Sequence, residues 1–236
     1  MTERGTLYGV GVGPGAPDLL TLRALRTIEA CPVIACPETR GGGTVALDIV
    51  QQAVDLSGKE ILRLSFAMQR SAALLRETHQ RAAYRLRGAL DSGKDVAMLN
   101  LGDVSLYASF AYVQELLAPE GYTTVLVPGV TSLSAAAAAL GVSLTDMNQP
   151  LHIYPAGAGQ LPQALAAPGS RVLMKAGGAL ADVLETLRQQ GMLEQTMMVQ
   201  RCGMEGERLV KDWQNDPYDP AEYFSLLLIK DSELKG

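Results

Sequence analysis

The stretch Gly9-Val-Gly-Val-Gly-Pro-Gly15, followed by Leu19-Leu20-Thr21, decides the fold of this chain. The apolar run Leu7 to Val12 predicts a short buried strand, and Pro17-Asp18 is typical of the first turn of a helix. Glycine lets the backbone turn sharply and approach a ligand closely. The stretch therefore predicts a strand that leads through a tight loop into a helix, the basic unit of an α/β protein.

Strand-like and helix-like segments alternate along the rest of the sequence, which predicts largely parallel sheets covered by helices on both faces. One predicted helix runs from Ser105 to Leu117 and a longer one from Arg70 to Leu90. We expect two α/β lobes, residues 1–128 and 129–236, each a mostly parallel sheet flanked by helices. The lobes would join near Pro128, with the active-site cleft between them.

The composition is that of a soluble globular protein and narrows the function classes. Apolar residues make up 47% of the 236 residues and charged residues 19%, which argues against disorder. The net charge of −5 argues against a nucleic-acid partner. No apolar run reaches the roughly 18 residues of a membrane-spanning helix, and the N-terminus lacks a secretory leader. We therefore expect a cytoplasmic protein without a membrane partner.

Cysteine and histidine usage predicts no metal site. The three cysteines, Cys31, Cys36 and Cys202, are an odd number, which is typical of reduced thiols in a cytosolic protein. The two histidines, His79 and His152, are not spaced with any cysteine in a zinc-binding pattern.

Two further loops follow buried strands later in the chain. The first is Leu101-Gly102-Asp103-Val-Ser-Leu-Tyr107, and the second is Val127-Pro-Gly-Val-Thr-Ser132. The carboxyl ends of parallel strands open onto the crevice where α/β proteins bind ligands. The Asp103 carboxylate either caps the following helix or binds a ligand. Capping explains one of Thr131 and Ser132 better than it explains both.

The first loop also satisfies a dinucleotide-binding pattern, Gly11-x-Gly13-x-x-Ala16, with Glu38 about 20 residues further on. Pro14 and Pro17 each remove a backbone amide that a phosphate would need. A nicotinamide-dependent oxidoreductase is therefore the disfavoured alternative, and a purely structural turn is a second one.

Taken in order, the three loops resemble the tetrapyrrole (corrin/porphyrin) methylase family over nearly the whole chain. The middle region, including Phe66-Ala-Met68 and the Asp103 loop, is similar to that of the precorrin-2 C20-methyltransferases. The chain departs from their pattern at four positions, where those relatives have proline, threonine, aspartate and tryptophan: Val104, Gln69, Ser71 and His79. Methylation at C11 or C17, or of uroporphyrinogen III, stays open as an alternative.

The resemblance implies methyl transfer from S-adenosylmethionine to C20 of precorrin-2 or cobalt-factor II in cobalamin biosynthesis, with S-adenosylhomocysteine as the other product. It also implies a homodimer. The cofactor would be held, largely by backbone contacts, by residues of all three loops and of two later strand ends. These residues are Pro14, Leu101, Gly102, Asp103, Leu106, Thr131, Ser132, Met174 and Gly203.

The substrate and catalytic residues follow from the same resemblance. The substrate carries eight carboxylates, so basic side chains should line its site, and Arg70 is the one that we expect to reach it, together with Gly13 and Gly15. Glu38 is the candidate base for the proton that leaves after methylation, with water or a substrate carboxylate as alternatives. Tyr107 would either orient the substrate or simply cap the cleft with its aromatic ring. A sensor that binds the cofactor without turnover is the remaining non-enzymatic alternative.

Overall fold

The computed structural model describes residues 3–38, 43–66, 72–157 and 159–231. Its contacts divide the chain into two compact units, residues 1–131 and 132–236. Within the described ranges every helix is too short or too polar to cross a membrane. The same ranges contain no group of three or more His, Cys, Asp or Glu residues placed to hold a metal ion.

A five-stranded sheet forms the centre of the first unit. All of its strands are parallel and lie in the order β3-β2-β4-β1-β5. The central strand β4 is buried along its whole length, as expected for a parallel strand covered on both faces. The strands are β1 Leu7–Gly11, β2 Val33–Glu38, β3 Glu60–Ser65, β4 Val96–Asn100 and β5 Thr124–Val127.

Helices cover both faces of this sheet. Side chains of alternate parity along β4 point to opposite faces, so Met98 joins one apolar core with α3 and α4, and Leu99 joins another with α1 and α2. The helices are α1 Leu22–Ala30, α2 Val45–Gln51, α3 Ala72–Asp91 and α4 Phe110–Leu117.

The second unit also has a five-stranded sheet, in the order β6-β7-β10-β8-β9. Only β6 and β7 pair in parallel, whereas β10 is antiparallel to both β7 and β8, and β8 is antiparallel to β9. This corrects the expectation of a mostly parallel second sheet. The elements are α5 Ser132–Leu140, β6 Leu151–Pro155, α6 Leu161–Ala166, β7 Ser170–Met174, α7 Leu180–Gln189, β8 Thr196–Gln200, β9 Arg208–Val210 and β10 Ser225–Ile229.

Two predicted helix starts differ from the structure. The helix expected from Pro17 is a single 3-10 turn, Pro17–Leu19, and α1 begins only at Leu22. The helix expected from Ser105 begins at Phe110, because the preceding residues form a loop that the Asp103 carboxylate holds. This longer loop lies at the carboxyl end of β4.

Candidate functional site

Three loops meet through backbone atoms at the carboxyl edge of the first sheet. A Cβ atom on Gly129 would lie 2.4 Å from the Gly102 carbonyl oxygen and 2.7 Å from the Gly11 carbonyl carbon. A Cβ atom on Gly11 would lie 2.7 Å from the Gly129 nitrogen. No side chain fits at these distances, so the ends of β1, β4 and β5 can come together only with glycine. We call residues 11–13, 102–103 and 128–129 the glycine hub.

Two backbone hydrogen bonds join the first and second loops of the hub. Gly13 N–H donates to the Gly102 carbonyl at 3.1 Å, and Gly102 N–H donates to the Gly13 carbonyl at 2.7 Å. Both glycines are left-handed, with φ of 79° and 73°, a conformation that glycine adopts without steric strain. The Gly13 amide, at a predicted substrate-binding position, is thus already engaged within the protein.

The Asp103 carboxylate joins the second loop to the third. Its Oδ1 accepts hydrogen bonds from the Ser105 hydroxyl and, at 2.8 Å, from the Ser105 N–H, and its Oδ2 accepts from Gly129 N–H at 2.8 Å. The residue is 8% exposed. Burial raises its pKa, but the hydrogen bonds from Ser105, Gly129 and Val104 outweigh that effect and hold the pKa below its ordinary value.

Asp103 does not cap α4, in contrast to one sequence-based alternative. Asn100, the last residue of β4, instead accepts a hydrogen bond from Phe110 N–H at 3.3 Å and donates one to the Met98 carbonyl at 2.9 Å. A Cβ atom on Gly9 would lie only 2.5 Å from ring carbon Cγ of Phe110, so the Phe110 ring occupies the space that a side chain on Gly9 would need. Sequence reasoning missed Asn100, although a polar amide that ends an otherwise apolar buried strand was a usable signal.

Thr21 explains why the first and third motifs occur together. Its hydroxyl oxygen accepts a hydrogen bond from Ala24 N–H at 3.1 Å, which caps α1. The same hydroxyl donates to the Pro128 carbonyl at 3.2 Å. Thr21 therefore fixes the start of α1 to the loop after β5.

Glu38 ends β2 at the same edge of the sheet. Its Oε2 accepts a hydrogen bond from the Ser65 hydroxyl at 3.0 Å, and Arg63 Nη1 lies 3.9 Å from its Oε1. The side chain is 25% exposed. Because β2 and β3 are parallel and Glu38 is in register with Ser65, these groups lie at the strand ends beside the glycine hub, and the carboxylate keeps access to solvent.

The remaining predicted site residues of the first unit lie in its loops. Pro14 and Gly15 are buried, whereas Leu101 and Leu106 are partly buried. Tyr107 is exposed and left-handed, with φ of 53°, which is uncommon for a residue other than glycine. Arg70, predicted to bind substrate, lies outside the described residues.

The predicted residues of the second unit lie at its strand and helix ends. Ser132 begins α5, directly after Thr131. Met174 ends β7 and is partly buried. Gly203 follows β8 with φ of 70° and donates its N–H to Glu207 at 2.6 Å. A ligand contact at Gly203 would therefore have to use another atom than this amide.

The charges of the loops favour a cationic ligand. Residues 11–22, 101–110 and 127–131 contain two carboxylates, Asp18 and Asp103, and no lysine or arginine. A pyrophosphate would require donors, yet Pro14 has no N–H and the Gly13 amide is engaged. A sulfonium cofactor with an amino-acid moiety suits an ionised buried carboxylate and small loop residues better.

Comparison with known proteins supports the same conclusion. The sequence model of the family described as Tetrapyrrole (Corrin/Porphyrin) Methylases matches residues 6–213. The cobalt-precorrin-2 C(20)-methyltransferase of Salmonella typhimurium is 33% identical over 95% of this chain and 96% of the relative. The cobalamin biosynthesis protein CobIJ of Mycobacterium bovis is 32% identical over 97% of this chain, which spans 46% of that longer relative.

A solved structure shares the fold. The uroporphyrin-III C-methyl transferase from Thermus thermophilus, complexed with S-adenyl homocysteine, matches with a TM-score of 0.68 and 23% identity. The match covers 96% of this chain and 98% of that one. The two-sheet α/β architecture predicted from the alternating pattern is thereby confirmed, with the strand directions of the second sheet as corrected above.

Proposed function

The chain belongs to the tetrapyrrole (corrin/porphyrin) methylase family, and on this premise we propose that it methylates C20 of precorrin-2 or of its cobalt-bearing counterpart in cobalamin biosynthesis. S-adenosylmethionine is the cofactor of this family. The observation that carries the proposal is the glycine hub, where a buried ionised carboxylate and small loop residues meet without a cationic side chain. The near full-length match to the Salmonella C20 enzyme supports the choice of carbon.

The fit of the cofactor rests on Asp103. Its carboxylate is ionised at neutral pH because its pKa is lowered, and it lies where three strand ends converge. A carboxylate offers about four acceptor positions, and Ser105 and Gly129 take three of them. The Val104 N–H also donates to this carboxylate, so the amino group or a ribose hydroxyl of S-adenosylmethionine would share an acceptor oxygen with one of these protein donors. Thr131, Ser132, Met174 and Gly203 stay predicted cofactor contacts.

The reaction itself needs alignment and removal of a proton. S-adenosylmethionine supplies the methyl group on a sulfonium, and the sulfur keeps the electron pair of the broken S–C bond. The electron-rich ring carbon of the substrate forms the new C–C bond and then loses its proton. Glu38 is the base that we propose to accept this proton, since Ser65 orients its carboxylate at the sheet edge.

The oxidoreductase alternative accounts for less of the structure. A dinucleotide fingerprint needs a helix directly after the glycine loop, so that the pyrophosphate meets its free amides. Here a 3-10 turn, Pro17–Leu19, separates the loop from α1, and the Ala24 amide in the first turn of α1 already donates to the Thr21 hydroxyl. Methylation at C11 or C17 stays an alternative within the family.

The test is an anaerobic single-turnover incubation with methyl-labelled S-adenosylmethionine and either precorrin-2 or cobalt-factor II, followed by NMR of the product. Label at C20 supports the proposal, and label at another ring carbon refutes the choice of carbon while keeping the chemistry. Tight cofactor binding without transfer to either compound would instead favour the sensor.

Glu38→Gln tests the base. We expect kcat to fall about 100-fold, within the range for a general base, and the affinity for S-adenosylhomocysteine to stay unchanged. Glu60→Gln is the matched control, because Glu60 lies at the opposite end of β3 and pairs with Lys94 at 2.9 Å. A kcat within threefold of the parent in Glu38→Gln would assign the proton to water or to a substrate carboxylate.

A further inference from the structure

Three aromatic rings from three elements contact one another in series in the first unit. The Phe66 ring lies 5.9 Å from the His79 ring, and the His79 ring stacks on Tyr112 at 4.3 Å with an interplanar angle of 8°. We call Phe66, His79 and Tyr112 the aromatic wall. The His79 and Tyr112 rings are thus parallel and face each other, the Phe66 ring is tilted by 51° to that of His79, and the open end of the series is the half-exposed Tyr112 ring.

The aromatic wall stands at the carboxyl edge of the sheet, beside the proposed site. Phe66 directly follows Ser65, the residue whose hydroxyl holds Glu38. Tyr112 lies in the first turn of α4, next to Phe110, whose N–H is bound by Asn100 at the end of β4. The wall therefore spans the ends of β3 and β4 on the α3–α4 side of the sheet.

Packing against the core beneath α3 and α4 accounts for Phe66 but not for Tyr112. The sealed part of that interface is made by small and aliphatic side chains such as Ala83, Leu86 and Val113, which are fully buried. Tyr112, by contrast, is 50% exposed. Burial lowers the pKa of His79, with Glu115 acting in the opposite direction, so the imidazole is predominantly uncharged at neutral pH and stacks as an apolar ring.

We propose that the aromatic wall binds one face of the substrate macrocycle and thereby sets its position over the sheet edge. The inference rests on the proposed function, since it takes a partly conjugated tetrapyrrole as substrate. Such a ring system presents flat pyrrole faces that stack on aromatic side chains. Glu38 ends β2, which lies between β3 and β4 in the sheet, so a ring system bound to the wall would extend over the strand end that carries the proposed base.

Steady-state kinetics of Tyr112→Ala and His79→Ala test the proposal. We expect KM for the tetrapyrrole to rise about 3- to 10-fold, as for the loss of one aromatic contact, with kcat and the affinity for S-adenosylhomocysteine nearly unchanged. His79→Trp keeps a flat ring and should restore the parental KM. Tyr84→Ala is the control, because Tyr84 lies on the same helix, is 76% exposed and is outside the wall.

The outcomes separate the inference from the proposed function. A parental KM in both alanine variants, with a lowered Tm, would overturn the wall as a substrate contact and leave it a helix–helix contact. A raised KM that His79→Trp does not restore would overturn stacking as the mechanism. Failure of the unsubstituted protein to methylate either tetrapyrrole would refute the proposed function itself, and the wall with it.

Discussion

At the carboxyl edges of both sheets the backbone adopts left-handed positions after the strands, but different residue types occupy these positions in the two units. In the first unit, the left-handed positions that join strand ends are the glycines Gly13 and Gly102. In the second unit, β7 and β8 run in the same direction on either side of β10. Each is followed by a residue other than glycine whose backbone is left-handed: Lys175 with φ of 57° and Arg201 with φ of 52°. Such positions are uncommon for residues other than glycine.

The difference lies in what approaches the backbone. In the first unit a Cβ on Gly13 would lie 3.1 Å from the Leu19 carbonyl oxygen, and at the adjoining Gly11 and Gly129 a Cβ would collide with main-chain atoms of a neighbouring loop. In the second unit the side chains of Lys175 and Arg201 are accommodated at the strand ends, at a local strain of about 1 kcal/mol each. Because the first edge requires glycine for steric reasons, it can be recognised in the sequence as a glycine motif. The second edge has no such requirement, and its sequence shows no comparable motif.

The largest expected effect comes from breaking the glycine hub. Gly129→Ala places a Cβ 2.4 Å from the Gly102 carbonyl oxygen and 2.7 Å from the Gly11 carbonyl carbon. Both are backbone atoms, which cannot move aside as a flexible side chain could. We expect the free energy of unfolding to fall by about 3 kcal/mol and the affinity for S-adenosylhomocysteine to drop with it. Urea unfolding and calorimetric titration measure the two quantities.

Gly88→Ala is the control for this substitution. Gly88 lies inside α3 with nothing within 4 Å of an added Cβ, so alanine there should raise stability by about 0.5–1 kcal/mol. An unchanged stability in Gly129→Ala would mean that the loops can separate. The glycines of the hub would then serve ligand binding rather than close packing of the loops.

A smaller effect is expected at a charge pair of the second unit. Arg171 on β7 is 3% exposed, pairs with Asp231 and donates to the Ala167 carbonyl at 2.9 Å. Asp231→Asn leaves a buried cation without its carboxylate. Because Asp231 is 37% exposed, we expect a loss of about 2 kcal/mol rather than the larger value for a fully buried pair.

The matched control is Asp146→Asn, which removes the partner of Lys230 at 3.5 Å. Asp146 is more exposed than Asp231, and its loss should cost under about 1 kcal/mol. Equal losses in the two variants would show that burial of Arg171 does not decide the energy of the pair. Amide hydrogen exchange should report the Asp231→Asn effect in β7 and leave the glycine hub unchanged, which separates the two units experimentally.

Much of the fold and part of the site could be predicted from the sequence, for identifiable reasons. Apolar runs and glycine loops predicted a strand before each of the three loops, and this signal is strongest at β4, because a parallel strand buried on both faces is a continuous apolar run. Strand direction in the second unit could not be predicted in this way. Ser225–Ile229 is buried throughout, and a central strand has the same apolar pattern whether its neighbours run parallel or antiparallel.

The sequence predicted where the site residues lie better than it predicted which contacts each of them makes. The motifs placed Asp103 and Gly102 at a strand end, but hydrogen bonds between loops distant in sequence leave no periodic signal. The contact of Asp103 with Gly129 and that of Thr21 with Pro128 therefore emerged only from the structure.

The smallest and sharpest test concerns the Asp103 carboxylate, which connects two loops of the glycine hub. Its folded pKa is lowered, so its contribution to stability is fully present above the ordinary aspartate pKa of about 4 and is lost as the pH falls through the folded value. Asp103→Asn should therefore cost about 1.5 kcal/mol between pH 5 and 7, and the difference from the parent should shrink steadily below pH 4. Urea unfolding across this pH range measures it. A difference that stays constant to pH 2 would mean that the hydrogen bonds from Ser105 and Gly129 do not depend on the charge, and the asymmetry between the two edges would then be one of packing alone.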